Sequence, residues 1–209
     1  MNRTDIKKAI LAKMDEISPF ETIDIIWDSL MEEVIDEACN NYLMLVPIHL
    51  VNTGTLTTST FINNNDGTGY IKLPLDFLRL SGFKMIGWRR QVTTPITQES
   101  PRYNLQLNKY TRAGIAKPVC ALVNKLQASG NYMSTVLQLF PIYYDWTFRD
   151  VDTASYIKKT LPENLQENLI TGYLWYATSQ LLISMERADF AKIAQIKFEE
   201  FMKSNSSRG

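Results

Sequence analysis

One histidine, two cysteines and no glycine-rich phosphate loop leave this 209-residue chain with few of the residues that chemistry usually requires. The lone histidine, His49, stands two residues after Pro47 in an apolar turn. A multi-histidine metal site or a Ser-His-Asp arrangement therefore lacks its parts, and a structural role suits His49 best. Neither GxxxxGK nor GxGxxG occurs, which removes the usual sequence evidence for nucleotide binding. Cys39 falls in a helical pattern and Cys120 in an apolar, strand-like run. Both read as buried reduced thiols rather than as a disulfide, because nothing marks the chain as secreted. The N-terminal MNRTDIKKAILAKMDEI is amphipathic and charged, unlike a signal peptide. No apolar run approaches the ~18 residues of a membrane span. The expectation is a soluble protein kept in a reducing cytosol, with no membrane partner.

Charge bias is absent too: 22 Lys and Arg stand against 22 Asp and Glu. A protein that grips nucleic acid through its phosphates normally carries a basic excess. Non-specific DNA binding by the monomer is therefore not expected, although a local basic patch stays open. What is present is ordinary for a globular chain, with 45% hydrophobic and 21% charged residues, and this excludes wholesale disorder. The length fits one domain, or one domain with an inserted module, and should bury roughly 70% of the unfolded surface.

Three zones follow along the chain. Residues 1–49 are helical: Ile6, Ile10, Met14 and Ile17 recur at helical spacing, and Ser18-Pro19 breaks the run. A second helix starts near Thr22, with Asp24 in its first turn and an apolar stripe of Ile23, Ile26, Trp27, Leu30, Val34 and Ala38. Residues 50–150 have strand and turn character. The Asn63–Gly67 cluster predicts a hairpin returning through Gly69–Leu73, and Ser129-Gly130-Asn131 predicts a second between Val119–Gln127 and Tyr132–Phe140. Leu78–Trp88 reads as a longer strand, with Gly82 and Gly87 as bulge or close-approach positions. Residues 91–117 form a long polar loop that Leu105, Leu107 and Tyr110 could anchor, and such loops usually carry function. Residues 151–209 complete the chain with helices and a polar tail. Leu165, Leu169, Tyr173 and Tyr176 give one stripe. After a break at Ser184–Asp189, with Asp189 as cap, Phe190, Ile193, Ile196 or Lys197, and Phe201 give another. The fold class expected is α+β: a helical bundle from both chain ends with an inserted antiparallel β module, a small sheet or sandwich.

No catalytic, cofactor-binding or metal-ligating residue emerges. Carboxylate pairs such as Glu32/Asp36 read as solvated helix surface rather than as acid/base machinery. Asn63–Gly69 lacks the spaced carboxylates and terminal glutamate of a calcium loop. Trp88-Arg89-Arg90 carries more information, because tryptophan buries area and arginine forks onto carboxylates at protein contacts. Arg102, Tyr103, Tyr110 and Arg112 repeat that chemistry. An aromatic core residue beside solvated arginines is the plain alternative, and nucleic-acid contact a further one. Tyr173, Trp175 and Tyr176 cannot all face one side of a helix. The expectation is that one of them meets another subunit or the β module. Trp88, Arg89, Arg90, Arg102, Tyr103, Tyr110, Arg112, Trp175 and Tyr176 form the candidate interface set.

Four stretches together resemble the head-to-tail connector (adaptor or ring) proteins of tailed bacteriophages, in particular those of the crAss-like phages of the gut. They are Asp36-Glu37-Ala38 with Leu43–Leu50, Ile71–Leu80 continuing to Trp88, Arg102-Tyr103 through Tyr110-Thr111-Arg112 to Val119, and the helical end around Tyr173–Leu182. They span most of the chain in order, and none is a catalytic signature. The resemblance implies a closed homo-oligomeric ring, commonly of twelve copies, below the portal protein. Such a ring sits at the head–tail junction of the virion, is built in the host cytoplasm and docks further tail or ring proteins. It extends a channel through which DNA passes without specific binding, and zero net charge is compatible with such a wall. A head-to-tail interface closing into a ring is the symmetry implied. The alternative is a non-enzymatic module that grips a peptide or glycan through Trp88, Tyr103 and Tyr110. A hydrolase ranks third.

Overall fold

The computed structural model describes residues 1–17, 25–56, 61–64, 68–108, 110–126, 133–140 and 151–206. The fold is α+β and divides into two units. Met1–Asn52 with Lys159–Gly209 forms a helical unit, and Thr53–Lys158 forms a β unit. The Ser18-Pro19 break, the Thr22 cap, Ile23 and Asp24 lie outside the described residues, as do the central residues of both predicted hairpin turns.

The helical unit contains α1 (Arg3–Ile17), α2 (Ile25–Leu45), α4 (Glu167–Ser184) and α5 (Ala188–Ser206). Helix α1 buries Ile6, Ile10 and Met14, the stripe its sequence spacing predicts. Helix α2 turns a neighbouring stripe inward: Met31, Ile35, Ala38, Cys39 and Tyr42 are buried, while Leu30 and Val34 are only half-buried. Helix α4 packs against α1, α2 and α5. It is therefore buried almost all round, from Leu169 and Tyr173 to Trp175, Ala177, Thr178 and Leu182. A helix enclosed on several sides has no polar face to present. Its three aromatics each have contacts inside the helical unit. Tyr173 and Trp175 are buried, Lys13 Nζ lies 4.4 Å over the Trp175 ring, and Tyr176 packs 5.2 Å from Phe198.

Tyr42 is the hub of this core. Its ring lies 6.1 Å from Tyr173 and from Tyr176, and 5.9 Å from Phe198. Its hydroxyl donates to Leu169 O at 3.0 Å, and Tyr173 donates in the other direction to Ile35 O at 3.1 Å. Two buried hydroxyls thus satisfy themselves on the facing helix backbone. Gly172 permits the approach, since a Cβ there would sit 2.7 Å from Tyr42 Oη.

Helix α4 ends in a Schellman motif: Arg187 N donates to Leu182 O at 2.9 Å and Glu186 N to Ile183 O at 2.9 Å. Glu186 occupies the left-handed position with φ 58°. Helix α5 then buries Ala191, Ala194 and Phe198, leaving Ile193 and Ile196 exposed. The predicted face of Phe190, Ile193, Ile196 or Lys197, and Phe201 is thus corrected in its middle, where Ile193, Ile196 and Lys197 are exposed, while Phe190 and Phe201 are half-buried. Small alanines let two helices joined by a tight turn approach closely, and that geometry outweighs the greater hydrophobicity of isoleucine. Asp189 lies inside the first turn, where a carboxylate favours the helix dipole, rather than at the cap.

Arg3 fastens this unit at its other end. It donates to Glu32, to Asp36 Oδ1 at 2.9 Å and to Glu163 Oε1 at 3.1 Å, and Lys7 also reaches Glu32. Glu32 and Asp36 are accordingly engaged, not merely solvated. These hydrogen bonds, Asp36 first, push the Arg3 guanidinium pKa up. Burial raises the Cys39 thiol to about 12 and the Cys120 thiol further, as expected of inert buried cysteines.

The β unit holds two sheets. The first has the order β1 (Thr53–Thr55), β8 (Val151–Lys158), β4 (Phe77–Met85), all antiparallel. The second has the order β2 (Phe61–Asn63), β3 (Gly69–Lys72), β7 (Met133–Leu139), β6 (Cys120–Leu126), β5 (Ile96–Thr97). It is antiparallel except for the parallel β5–β6 pair, so the module is not wholly antiparallel. The strand Val151–Lys158 moves the boundary from 150 to 158. Its polar residues hide it by composition, yet it is the central strand of the first sheet.

Two cores follow from strand alternation. Cys120, Leu137 and Leu139 face one way, joining Leu80, Phe83 and Met85 of the first sheet. Ala121, Val123 and Val136 face the other way, joining Tyr103 and Phe140. The sheets therefore share one core, and the outer face of the second sheet carries another.

Candidate protein-interaction surface

The stretch expected to be a long loop is largely ordered by hydrogen bonds. Val92 pairs back onto Phe83 at 2.8 Å in both directions, Ile96–Thr97 forms β5, and α3 spans Pro101–Leu107. Ser100 and Pro101 start the helix: the serine side chain accepts from Arg102 N, and proline is tolerated at the first helical position. Inside, Tyr103 donates to Gln138 Oε1 at 2.7 Å and packs edge-on to Phe140 at 5.9 Å. Burial raises the Tyr103 pKa.

The far end of α3 is capped by the chain that follows. Arg112 Nε donates to Gln106 O at 2.8 Å, Thr111 Oγ1 to Leu105 O at 2.7 Å, and Ala113 N to Gln106 Oε1 at 2.9 Å. The last carbonyls of a helix lack intrahelical donors, so these bonds hold a seven-residue helix that has little stability alone. The predicted anchors are reversed: Tyr103 and Gln106 point inward, while Leu105 and Leu107, each 50% exposed, and Tyr110, 84% exposed, point outward. Leu105 and Leu107, two residues apart, leave α3 on different sides, so the β unit exposes separate apolar side chains on a preorganised short helix.

The β unit also exposes basic side chains. Met85 O accepts from Trp88 N at 3.0 Å across a tight turn in which Gly87 takes φ 88°, a conformation natural only to glycine. That turn sends Trp88 inward and leaves Arg89 and Arg90 outside. Trp88 is 4% exposed, with its ring 5.7 Å from Phe83 in an edge-on contact. Arg89 N donates to Ile115 O at 2.9 Å, which lays the arginine pair beside the Gly114–Lys117 turn. Arg102 and Lys117 are also exposed.

The nine sequence-selected residues thus divide. Arg89, Arg90, Arg102 and Tyr110 are surface residues, and Arg112 is a half-buried cap. Trp88 and Tyr103 belong to different cores, so with Tyr110 they form no common groove, which removes the geometry a peptide- or glycan-binding trio needs. Trp175 and Tyr176 lie in the helical unit. Reasoning from sequence missed Lys117 and assigned Leu105 and Leu107 the opposite role. The Ser100-Pro101 start was the available signal for α3.

His49 is exposed in a short 3₁₀ turn, Ile48–Leu50. Among the described residues no three His, Cys, Asp or Glu side chains are grouped as a metal site, and no helix is long and apolar enough to cross a membrane. No protein-family model and no curated protein matches the chain.

Proposed function

We propose that this chain is a structural virion protein that forms a ring in the phage head-to-tail connector. In this reading it lies below the portal, extends the DNA channel and docks tail components. The observation that carries the reading is the division of the chain. Helices from both ends make one unit, and an inserted β unit carries exposed Leu105, Leu107 and Tyr110 together with exposed Arg89, Arg90 and Arg102. Exposed apolar side chains together with arginine suit protein contact. A short helix held by buried anchors and backbone caps loses little entropy on docking.

The role is architectural, without turnover. The partners are further copies of the chain, around twelve as the resemblance implies, the portal protein and the next ring or tail protein. DNA passes through without sequence-specific grip. The site of action is the head–tail junction, reached by assembly in the host cytoplasm.

Negative-stain imaging and mass photometry of the purified protein, alone and with portal assemblies, test this directly. Rings, or a stoichiometric collar on the portal, are the expected result and would give the copy number. A chain that stays monomeric and ignores the portal would overturn the reading.

A further inference from the structure

Zero net charge conceals a division between the two units. Thr53–Lys158 holds 12 Lys and Arg against 6 Asp and Glu, a net of +6, while the helical unit holds 10 against 16, a net of −6. The negative excess lies entirely in Met1–Asn52, with 4 basic against 10 acidic residues.

Side chains convert this into opposed surfaces. On the β unit, Arg89, Arg90, Arg102 and Lys117 are exposed and make no ion pair among the described residues. Arg89 is tied to Ile115 in the segment that follows α3, and Arg102 lies in the first turn of that helix. On α2, Arg3 and Lys7 engage Glu32 and Asp36, whereas Glu33 and Glu37 point outward. With Met44, these two glutamates fall within one narrow stripe at 100° per residue, and Met44 and Leu45 are exposed apolar side chains at its end. One surface is basic with exposed leucines on its short helix, and the other is acidic with an apolar end.

We propose that these surfaces meet between copies: the exposed arginines and α3 leucines of one β unit receive the Glu33–Glu37–Met44 stripe of α2 from a second copy. Charges of equal size and opposite sign align such partners and speed their encounter, while apolar side chains supply the buried area. Because the surfaces differ, the contact is heterologous and propagates from copy to copy until it closes. The exposed leucines favour a protein occupant over nucleic acid, whose phosphates would contact the arginines and leave the leucines uncovered. The inference rests on the ring reading and names its subunit interface.

Charge swapping in the full-length protein tests it. One variant carries R89E, R90E and R102E, and the other carries E33K and E37K; all five positions are exposed. Circular dichroism checks that both fold, and sedimentation velocity measures association at low and high salt. Wild type should associate more tightly at low salt, and each variant alone should be weakened by roughly tenfold or more. An equimolar mixture should recover assembly with the two variants alternating, because each reversed face then meets its complement. Self-association unchanged in both variants, or a mixture that fails to recover, overturns the inference. So does a triple variant that assembles normally but loses binding to duplex DNA, which would assign the arginines to nucleic acid. Wild-type collars formed by both variants on the portal would sink this interface alone. Charge-dependent assembly with no portal binding would sink the connector reading alone.

Discussion

Replacing Gly172 by alanine sets two effects of opposite sign against each other. In a generic helix interior the change gains about 1 kcal/mol of propensity. Here the new Cβ would lie 2.7 Å from Tyr42 Oη and closer still to the Phe201 ring. Carbon atoms rest comfortably near ~3.5–4.0 Å, so at least one neighbour must move. Phe201 can shift only by disturbing the α4–α5 packing. Tyr42 can shift only by loosening its 3.0 Å bond to Leu169 O and its contacts with three other rings. Overpacking costs roughly 1–3 kcal/mol, and a buried hydrogen bond lost costs about 1–3 kcal/mol more. The unfavourable terms win, and we expect a net loss of about 1–5 kcal/mol in the helical unit. Urea denaturation of the full-length protein, followed by far-ultraviolet ellipticity, measures it. Tyr42→Phe removes the hydroxyl that the new Cβ would meet at 2.7 Å and leaves the Phe201 contact in place, so Gly172→Ala combined with Tyr42→Phe should cost less than the sum of the two. Stabilisation by Gly172→Ala, matching its propensity gain, would refute the close approach and the role assigned to Tyr42.

Three further outcomes follow from the same reasoning. Trp88→Ala should destabilise the β unit by about 3–5 kcal/mol, because the indole fills a shared core; near-native stability by denaturant titration would contradict that burial. Tyr103→Phe orphans the buried Gln138 carbonyl and should cost about 1–3 kcal/mol, with faster amide exchange across α3; unchanged exchange would show that the helix is held by other contacts. Hydrogen bonds from Lys7 first, then Arg3, hold the Glu32 carboxyl below its ordinary 4.5. A lowered folded-state value gives stability that is present above the unfolded pKa and lost as pH falls through the folded one. The helical unit should therefore weaken below about pH 4.5, and the slope should flatten in an Arg3→Gln, Lys7→Gln variant; equal slopes in an acid titration would reject the network.

Local signals that need no partner were legible in sequence. Helix α1 shows its inward face because Ile6, Ile10 and Met14 are the only large apolar set at that spacing, and both hairpins show through alternating strands around Asn, Asp and Gly. Helix α5 contains two candidate faces, and only the closeness of α4 selects the alanines over Ile193 and Ile196. Helix α3 is too short for periodicity to register. The strand Val151–Lys158 alternates, but its aspartate, threonine, serine and lysine look like a connector until β1 and β4 flank it. At the candidate surface, residue type was visible and direction was not. Trp88 and Arg89 are neighbours in sequence, and a single turn at Gly87 sends them to opposite sides.

The strands that open and close the β unit are direct neighbours, with Thr53 paired to Ile157. The two halves of the helical unit are thus separated by everything the ribosome must add between them. Helices α1 and α2 emerge early, yet α4, the helix that covers them, is translated only after Thr53–Lys158 is complete. At roughly 5–20 residues per second that interval is about 5–20 s. For that time Met31, Ile35, Tyr42 and Leu43 sit on a nascent chain without their partner, and at its end the β unit has all of its strands while α4 has yet to be made. The order of birth therefore makes the β unit the first part able to fold, and makes the early helices a client for whatever holds nascent chains apart.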